Sequence, residues 1–351
     1  MIDIVKVRRE LHQIPELGFK EYKTQQYILK ILKNYRCYIY TIKTGIIAYF
    51  DNQKDYSIAY RSDMDGLPIK EENLVDYKSQ FNMHACGHDG HMAIALGLCD
   101  YLNNHYQEYP HNFVIIFQPS EEVFGGSKLI LDSHILERLN VKKIIGIHLF
   151  PKLEKCTFLT SKHIFSSARE INFSFKSKSV HVANKNNAID CMKVGVELLN
   201  KITNLSSKNN LVHIGIFNSG SIRNCVSDFC ELKGTIRSKK DDTKIIKKIQ
   251  KIIKSIEKKY HLKIDDTSLF LPSINNNNSM MKKASKLINL KISHKTFFQG
   301  EDFSMYTYKF PCLFLLYGIG EENYLHSPNF NFDDSLLINC LEQIIKLMKI
   351  D

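Results

Sequence analysis

Residues 57–68 read SIAYRSDMDGLP, and this stretch decides the class of fold. Its first part, Ser57–Ser62, is short and largely apolar, which predicts a buried strand. Its second part, Asp63–Pro68, contains aspartate, glycine and proline, which predicts a loop at the carboxyl end of that strand. Phe113–Gln118 and Lys143–His148 repeat this pattern of a short buried strand that ends in polar residues.

Segments with helical periodicity alternate with these strands. Met92–Asn103 predicts a helix between two of them, and Ile4–Leu11 and Tyr22–Lys33 predict helices before them. The end of the chain returns to the same style, with a predicted strand at Cys312–Tyr317 and a predicted helix at Asp334–Lys349. Such alternation is typical of an α/β fold with a mostly parallel sheet covered by helices.

The middle of the chain follows a different pattern. It predicts, in order, a strand, a helix, two strands, a helix and a short strand: Ile171–Phe175, Ala188–Ile202, Leu211–Phe217, Phe229–Arg237, Lys244–Ile256 and His261–Asp265. This order is the split βαβ pattern of a ferredoxin-like α+β domain. We therefore expect residues 166–274 to form an inserted domain, and residues 1–165 and 275–351 to form the main domain. The polar run Asn275–Asn278 is the expected return hinge.

Composition and charge argue against several classes of protein. No apolar run approaches the roughly 20 residues of a membrane span, and the charged start of the chain does not resemble a secretory signal. The nine cysteines lack regular spacing, which favours reduced thiols and a cytoplasmic enzyme. The net charge of +11 is expected to come from lysines on solvated faces. Basic residues interleaved with aromatics, which would indicate nucleic-acid binding, are not found.

Potential metal ligands gather at one edge of the predicted sheet. Ligands of open α/β sheets bind beyond the carboxyl ends of the strands. Five acidic or imidazole side chains lie at or past such ends: Asp63, Glu121, Glu122, His148 and His326. Cys86 and His88 stand two apart in a loop that contains glycine, so both can face one centre. Thiolate, imidazole and carboxylate bind zinc and its neighbours, and the set exceeds the needs of one ion. The sequence therefore predicts two adjacent metals.

The paired glutamates suggest two separate roles. One carboxylate can hold metal, while the other takes a proton from metal-bound water and passes it to a leaving amine. No serine nucleophile elbow, phosphate-binding loop or dinucleotide fingerprint competes with this interpretation. A non-catalytic metal-binding module remains the alternative from a different class.

Taken together, nine motifs resemble the M20 metallopeptidase family in its amidohydrolase branch: Arg8–Phe19, Thr44-Gly45, Asp63–Pro68, His84–Asp89, Gln118–Glu122, Gly146-Ile147-His148, Gly234–Arg237, Gly300–Phe303 and Leu325-His326-Ser327. The resemblance implies a di-metal catalytic domain and an inserted lid that forms a homodimer. It implies the following metal ligands: Cys86, His88, Glu122, His148 and His326. It also implies that Glu121 is the general base and that Asp65 supports the metal site. Asp63 occupies the place of a ligand histidine in other branches, so its role stays open.

Three residues of the expected lid also match family positions. The match at His181 implies that this side chain polarises the scissile carbonyl. The alternative is that His181 is an ordinary surface histidine. Asn224 and Arg237 imply contacts with a substrate carboxylate, and for Arg237 a salt bridge within the sheet is the alternative. The residues around His181 and Asn224 depart from the family's usual run, which affects substrate detail.

Within the branch, the chain most resembles N-acetyldiaminopimelate deacetylases of bacterial lysine biosynthesis. The residues that carry this resemblance are Arg8–Leu17, Tyr22–Gln25 and Asp65–Glu72. The implied reaction releases acetate and LL-2,6-diaminopimelate, and the alternative is an aminoacylase or hippurate hydrolase. The mixed ligand set suits zinc, manganese, cobalt or nickel.

Overall fold

The computed structural model describes residues 2–320 and 324–350, which form two compact units. The first unit contains Met1–Lys162, Asn275–His294 and Asp302–Asp351. The second unit contains His163–Ile274 and Lys295–Glu301. The backbone therefore passes from the first unit to the second and returns twice.

The strands and α-helices of the described residues are as follows. The strands are β1 (Tyr38–Ile42), β2 (Gly45–Phe50), β3 (Ser57–Asp63), β4 (Asn112–Gln118), β5 (Val141–Phe150), β6 (Phe158–Ser161), β7 (Ser167–Lys176), β8 (Val180–His181), β9 (Asn210–Ser219), β10 (Cys225–Val226), β11 (Phe229–Ser238), β12 (Asp265–Leu271), β13 (Leu290–Ser293) and β14 (Cys312–Gly318). The α-helices are α1 (Ile4–His12), α2 (Tyr22–Leu32), α3 (His88–His105), α4 (Gly126–Asp132), α5 (Ile135–Arg138), α6 (Cys191–Thr203), α7 (Thr243–Tyr260), α8 (Asn278–Leu287) and α9 (Leu336–Leu347).

A mostly parallel sheet forms the centre of the first unit. Its eight strands lie in the order β1-β2-β4-β3-β5-β14-β6-β13. The four central strands, β4, β3, β5 and β14, are parallel to their neighbours within this group. They are almost completely buried, which explains why they read as continuous apolar runs. The predicted parallel sheet covered by helices is confirmed, and the carboxyl ends of its central strands lie at one edge.

The second unit contains a smaller, fully antiparallel sheet. Its strands lie in the order β12-β7-β11-β9. Helices α6 and α7 pack on it, and α7 buries one face of isoleucines: Ile245, Ile249, Ile253 and Ile256. The element order β7-α6-β9-β11-α7-β12 confirms the predicted ferredoxin-like α+β pattern.

The predicted last strand of this unit is wrong in position. The structure places β12 at Asp265–Leu271 instead of His261–Asp265. Leu262 and Ile264 are buried, but they belong to the turn that ends α7, where Ile264 N–H donates to Glu257 Oε1 at 2.9 Å. Strand β12 lies at the sheet edge and exposes most of its polar side chains, so it lacks an apolar strand pattern.

The polar run Asn275–Asn278 begins where the chain re-enters the first unit. Asn276 is fully buried there, and its side chain binds the backbone of β14 by accepting from Phe314 N–H at 2.7 Å. Asn277 caps helix α8 by accepting from Met280 N–H. These contacts anchor the backbone at the re-entry point.

Positive charge is concentrated in the second unit. That unit holds 21 lysines and arginines against 11 aspartates and glutamates, which leaves a net +10 of the total +11. All nine cysteines are free thiols. Among the described helices, none is both long and apolar enough to cross a membrane.

Candidate metal centre and active site

The five predicted ligands and Glu121 meet in the first unit. Their donor atoms form three overlapping groups in which the atoms lie within 4.8 Å of one another: Cys86, His88 and His148; Cys86, Glu122 and His326; and His88, Glu121 and Glu122. Cys86 Sγ lies 3.4 Å from His148 Nε2, and His326 Nε2 lies 3.2 Å from Glu122 Oε1. Cys86 belongs to two of the groups, so its sulfur can face two centres.

Separate elements bring these side chains together. His148 lies near the carboxyl end of β5, and Glu121 and Glu122 follow the end of β4. Cys86 precedes α3, and Gly87 between Cys86 and His88 has a φ of +82°, a conformation that favours glycine. The backbone N–H of His326 donates to Ala85 O at 2.8 Å, which holds the distant segment beside Cys86.

Backbone carbonyls fix the orientation of two imidazoles. His88 Nδ1 lies 2.8 Å from Asp65 O, and His148 Nδ1 lies 2.7 Å from Leu149 O. A carbonyl oxygen only accepts, so each Nδ1 carries a hydrogen and each Nε2 points into the ligand cluster. This is the usual arrangement of metal-binding histidines.

The cluster suits positively charged metal ions. Burial would lower the pKa of His88, but Asp63, Asp65 and Glu122 reverse this and raise it to about 10. Burial also raises the pKa of the Cys86 thiol well above its usual value, and the nearby glutamates add to this. His88 Nε2 is buried without a hydrogen-bond partner among the described residues, and it faces the carboxylate of Glu122 at 3.9 Å. Thiol, imidazole and carboxylate donors around such an unpaired nitrogen fit a pair of divalent cations.

Asp65 holds the loop that carries both glutamates. Its two carboxylate oxygens accept from the backbone N–H groups of Glu121 and Glu122 at 3.0 and 2.9 Å. Ser120, just before them, has a left-handed φ of +53°, which is strained for a residue with a side chain. Glu21 Oε1 accepts from Ser120 N–H at 2.8 Å and stabilises this conformation. Asp65 therefore positions the glutamates through their backbone.

A buried arginine connects the strand ends below the cluster. The guanidinium of Arg61 donates to Asp63 at 2.7 Å, to Asp302 at 2.9 Å and to Gln118 at 3.0 Å. Burial would raise the pKa of Asp63, but His88, His91 and Arg61 hold it well below its usual value. Asp63, whose role was open, is thus ionised and fully buried.

Three supporting residues were not predicted from sequence as part of the site: Arg61, His91 and Glu21. Arg61 is the detectable one, because a charged side chain in an otherwise apolar strand requires a buried partner. His91 and Glu21 left no signal, since their partners are distant in sequence.

The other three predicted residues lie in the second unit. His181 is exposed, and its backbone pairs with Cys225 where β8 meets β10. Asn224 is also exposed, and its carbonyl accepts from Val182 N–H at 2.9 Å, so the structure brings it beside His181. Arg237 lies on β11, where Nη2 is 3.4 Å from Glu170 Oε1. Its Nη1 is buried and has no hydrogen-bond partner in the part of the chain described.

Comparison with known proteins identifies the family. The sequence pattern of peptidase family M20/M25/M40 matches residues 59–349. The chain belongs to this family. It is 33% identical, over 97% of both chains, to an uncharacterized hydrolase of Staphylococcus haemolyticus. The resemblance to M20 metallopeptidases is therefore confirmed, and the protein is a hydrolase of that family.

Two solved structures are similar over nearly the whole chain. A dinuclear metal-binding peptidase of the M20 family from Bacillus subtilis has a TM-score of 0.86 and 27% identity, covering 99% of this chain and 97% of its own. A protein from methicillin-resistant Staphylococcus aureus, provisionally assigned as an aminohydrolase, has a TM-score of 0.90 and 26% identity, covering 99% and 96%. Together with the donor groups described above, the Bacillus subtilis structure supports a dinuclear metal centre.

Helix α1 is fastened to the start of α3 by buried ion pairs. Asp89 accepts from Arg8 Nε and from His12 Nδ1, both at 2.7 Å. His12 Nε2 lies 3.1 Å from Glu71 Oε1. Burial would lower the pKa of His12, but Asp89 and Glu71 reverse this and raise it. With a carboxylate at each ring nitrogen, the doubly protonated imidazolium is the form that fits.

This pair of contacts predicts a pH-dependent stability. His12→Gln should lower the free energy of unfolding by about 3 kcal/mol below the unfolded-state pKa near 6.5, because a buried charge pair is broken. Because the folded-state pKa of His12 is raised, the free energy of unfolding that His12 contributes is lost as the pH rises through that pKa. Urea unfolding at acidic, neutral and alkaline pH measures the difference. His134→Gln, at an exposed histidine, is the control. A difference that does not shrink at alkaline pH would contradict the imidazolium form.

Proposed function

We propose that the protein hydrolyses the amide bond of N-acetyl-LL-2,6-diaminopimelate and releases acetate and LL-2,6-diaminopimelate. The main support is the cluster in which a thiol, three imidazoles and two glutamates converge. Membership of the M20 family supports hydrolysis, and the sequence resemblance described above suggests this substrate. Another N-acyl-amino-acid hydrolase, of aminoacylase or hippurate hydrolase type, is the second candidate.

We assign the metal ligands as Cys86, His88, Glu122, His148 and His326. Divalent metal ions, when bound, polarise a carbonyl oxygen and lower the pKa of a water molecule. Zinc, manganese, cobalt and nickel all suit this mixture of donors. Cys86 would be a ligand in either arrangement, because it belongs to two of the three donor groups described above.

Glu121 is the proposed general base. Its neighbour Glu122 contacts His326 and His88, whereas Glu121 Oε1 lies 3.5 Å from the backbone N–H of Asp302. Glu121 accepts a proton from the attacking water, whose oxygen bonds to the amide carbon. The carbon–nitrogen bond then breaks, and Glu121 returns the proton to the leaving amine nitrogen. Asp65 positions Glu121 during both transfers.

The second unit supplies the proposed substrate contacts. A substrate carboxylate would accept a hydrogen bond from Nη1 of Arg237, which has no partner among the described residues. Burial lowers the pKa of this guanidinium. Asn224 is a proposed hydrogen-bond partner, and His181 is proposed to polarise the scissile carbonyl. The net +10 of this unit favours the approach of a substrate with several carboxylates.

Substitution of the two glutamates should separate their roles. Glu121→Gln is expected to retain both metals and lose at least about 100-fold in kcat, because the base is removed while the ligands remain. Glu122→Gln should lose bound metal first. Elemental analysis of the purified variants, with initial rates on the same samples, distinguishes the two. Near-normal turnover by Glu121→Gln would exclude it as the base.

A substrate panel tests the proposed specificity. We expect kcat/KM for N-acetyl-LL-2,6-diaminopimelate to exceed the values for hippurate and N-acetylmethionine by about 10-fold or more. Rates are compared with zinc, manganese, cobalt and nickel in turn. Preference for an aromatic acyl group would favour the hippurate hydrolase alternative. Hydrolysis of none of these substrates would favour a non-catalytic metal-binding module.

We also propose a homodimer formed through the second unit. The supporting feature is a set of exposed apolar side chains on edge strand β9 and on helix α6: Leu211, Ile216, Met192 and Val196, each 44–47% exposed. Unpaired strand edges with apolar side chains favour pairing between chains.

The dimer is tested by light scattering. Ile216→Asp on β9 should convert a dimer to a monomer, because it places a charge in the proposed interface. Leu269→Asp, on the opposite edge strand β12 and 54% exposed, is the matched control and should leave the mass unchanged. A native protein with monomer mass would refute the proposal.

A further inference from the structure

His91 lies one turn after His88 on α3, and both of its ring nitrogens are engaged. Nδ1 lies 2.7 Å from Asp63 Oδ1, and the backbone N–H of Leu149 donates to Nε2 at 2.9 Å. An amide N–H only donates, so Nε2 must accept, and the ring hydrogen must be on Nδ1. His91 therefore has no lone pair left for a metal, although it lies within 4.8 Å of His88 and Asp63 donor atoms.

Asp63 holds the ring of His91 in place through a hydrogen bond. Its Oδ1 accepts from His91, and its Oδ2 accepts from Arg61 at 2.7 Å. The carboxylate is completely buried and balanced by the guanidinium, which fixes its orientation. Both oxygens are thus engaged in holding other side chains.

His91 in turn holds the backbone that carries His148. The N–H it accepts belongs to the peptide bond between His148 and Leu149, and His148 Nδ1 lies 2.7 Å from Leu149 O. The rings of His91 and His148 meet edge to face, with centroids 4.9 Å apart. The backbone of Leu149 thus connects the two rings, since its N–H bonds to His91 and its carbonyl oxygen to His148. Fixing this residue fixes the direction in which His148 Nε2 faces Cys86 Sγ.

We propose that His91, anchored by Asp63 and Arg61, is a positioning residue that aims His148 at the metal centre. The inference rests on the proposed metal-dependent function. It assigns Asp63 to the support of a ligand, in place of direct coordination. Partners behind a metal-binding histidine typically change metal affinity by about 10-fold to 100-fold when they are removed.

Three substitutions of His91 separate positioning from packing. Phenylalanine keeps the ring and removes both hydrogen bonds. Asparagine keeps a donor for Asp63 but is too short to reach Leu149 N–H. Glutamine supplies a donor and an acceptor with nearly the reach of the imidazole. His111→Phe is the control, because His111 is equally buried and contacts the Met348 carbonyl at 3.0 Å.

The probe is Co²⁺ added to metal-free protein, with affinity and the thiolate-to-cobalt absorption band as readouts. Circular dichroism and Tm identify variants that fail to fold. We expect His91→Phe and His91→Asn to bind Co²⁺ about 10-fold to 100-fold more weakly and to alter the band. His91→Gln should recover most of the affinity, and His111→Phe should change Tm alone. If His91→Phe does not fold, the comparison of His91→Asn with His91→Gln decides.

The inference would be overturned by native Co²⁺ affinity and an unchanged band in a folded His91→Asn or His91→Phe variant. It would also fail if His91→Gln were no better than His91→Asn. Because these readouts need no substrate, they separate the two proposals. Dependence of Co²⁺ binding on His91 in a protein that hydrolyses no N-acyl amino acid would sustain this inference and refute the proposed function.

Discussion

The buried guanidinium of Arg61 is the interaction on which the site depends. A charged group taken completely out of water costs several kcal/mol unless it is paired, and here two carboxylates and one amide surround it. Those partners stand at the ends of β3 and β4 and at the start of the segment after Gly300. Arg61 thereby fixes the strand ends relative to one another. Asp302 extends the network by accepting a hydrogen bond from the backbone N–H of Ser127. Ser127 lies in the first turn of helix α4, which follows the loop that carries the two glutamates.

The gathering of the ligands could be predicted because it follows from topology. Once β3, β4 and β5 are recognised as parallel, their carboxyl ends must share one edge, and Glu121, Glu122 and His148 must approach one another. The roles within that set came instead from the family resemblance. His326, whose backbone carries a left-handed φ of +63°, reaches the cluster through a loop that no periodicity describes.

The features that escaped prediction depend on partners distant in sequence. Strand β12 begins with two aspartates and exposes most of its length, so only its pairing with β7 makes it a strand. The buried carboxylate of Glu21 meets Ser120, and His91 meets Leu149, across separations that a local pattern does not encode. Short edge strands β1 and β13 were missed for a different reason, because half-exposed strands lack a continuous apolar run.

The left-handed backbone at Ser120 has an evolutionary consequence. Glycine at that position would adopt the same φ without steric strain, yet it would also loosen the peptide directly before Glu121. A more stable chain could therefore be a slower catalyst, the trade-off that arises where strain is retained to hold reactive groups in place. Selection for thermal tolerance and selection for turnover would favour different residues at this position.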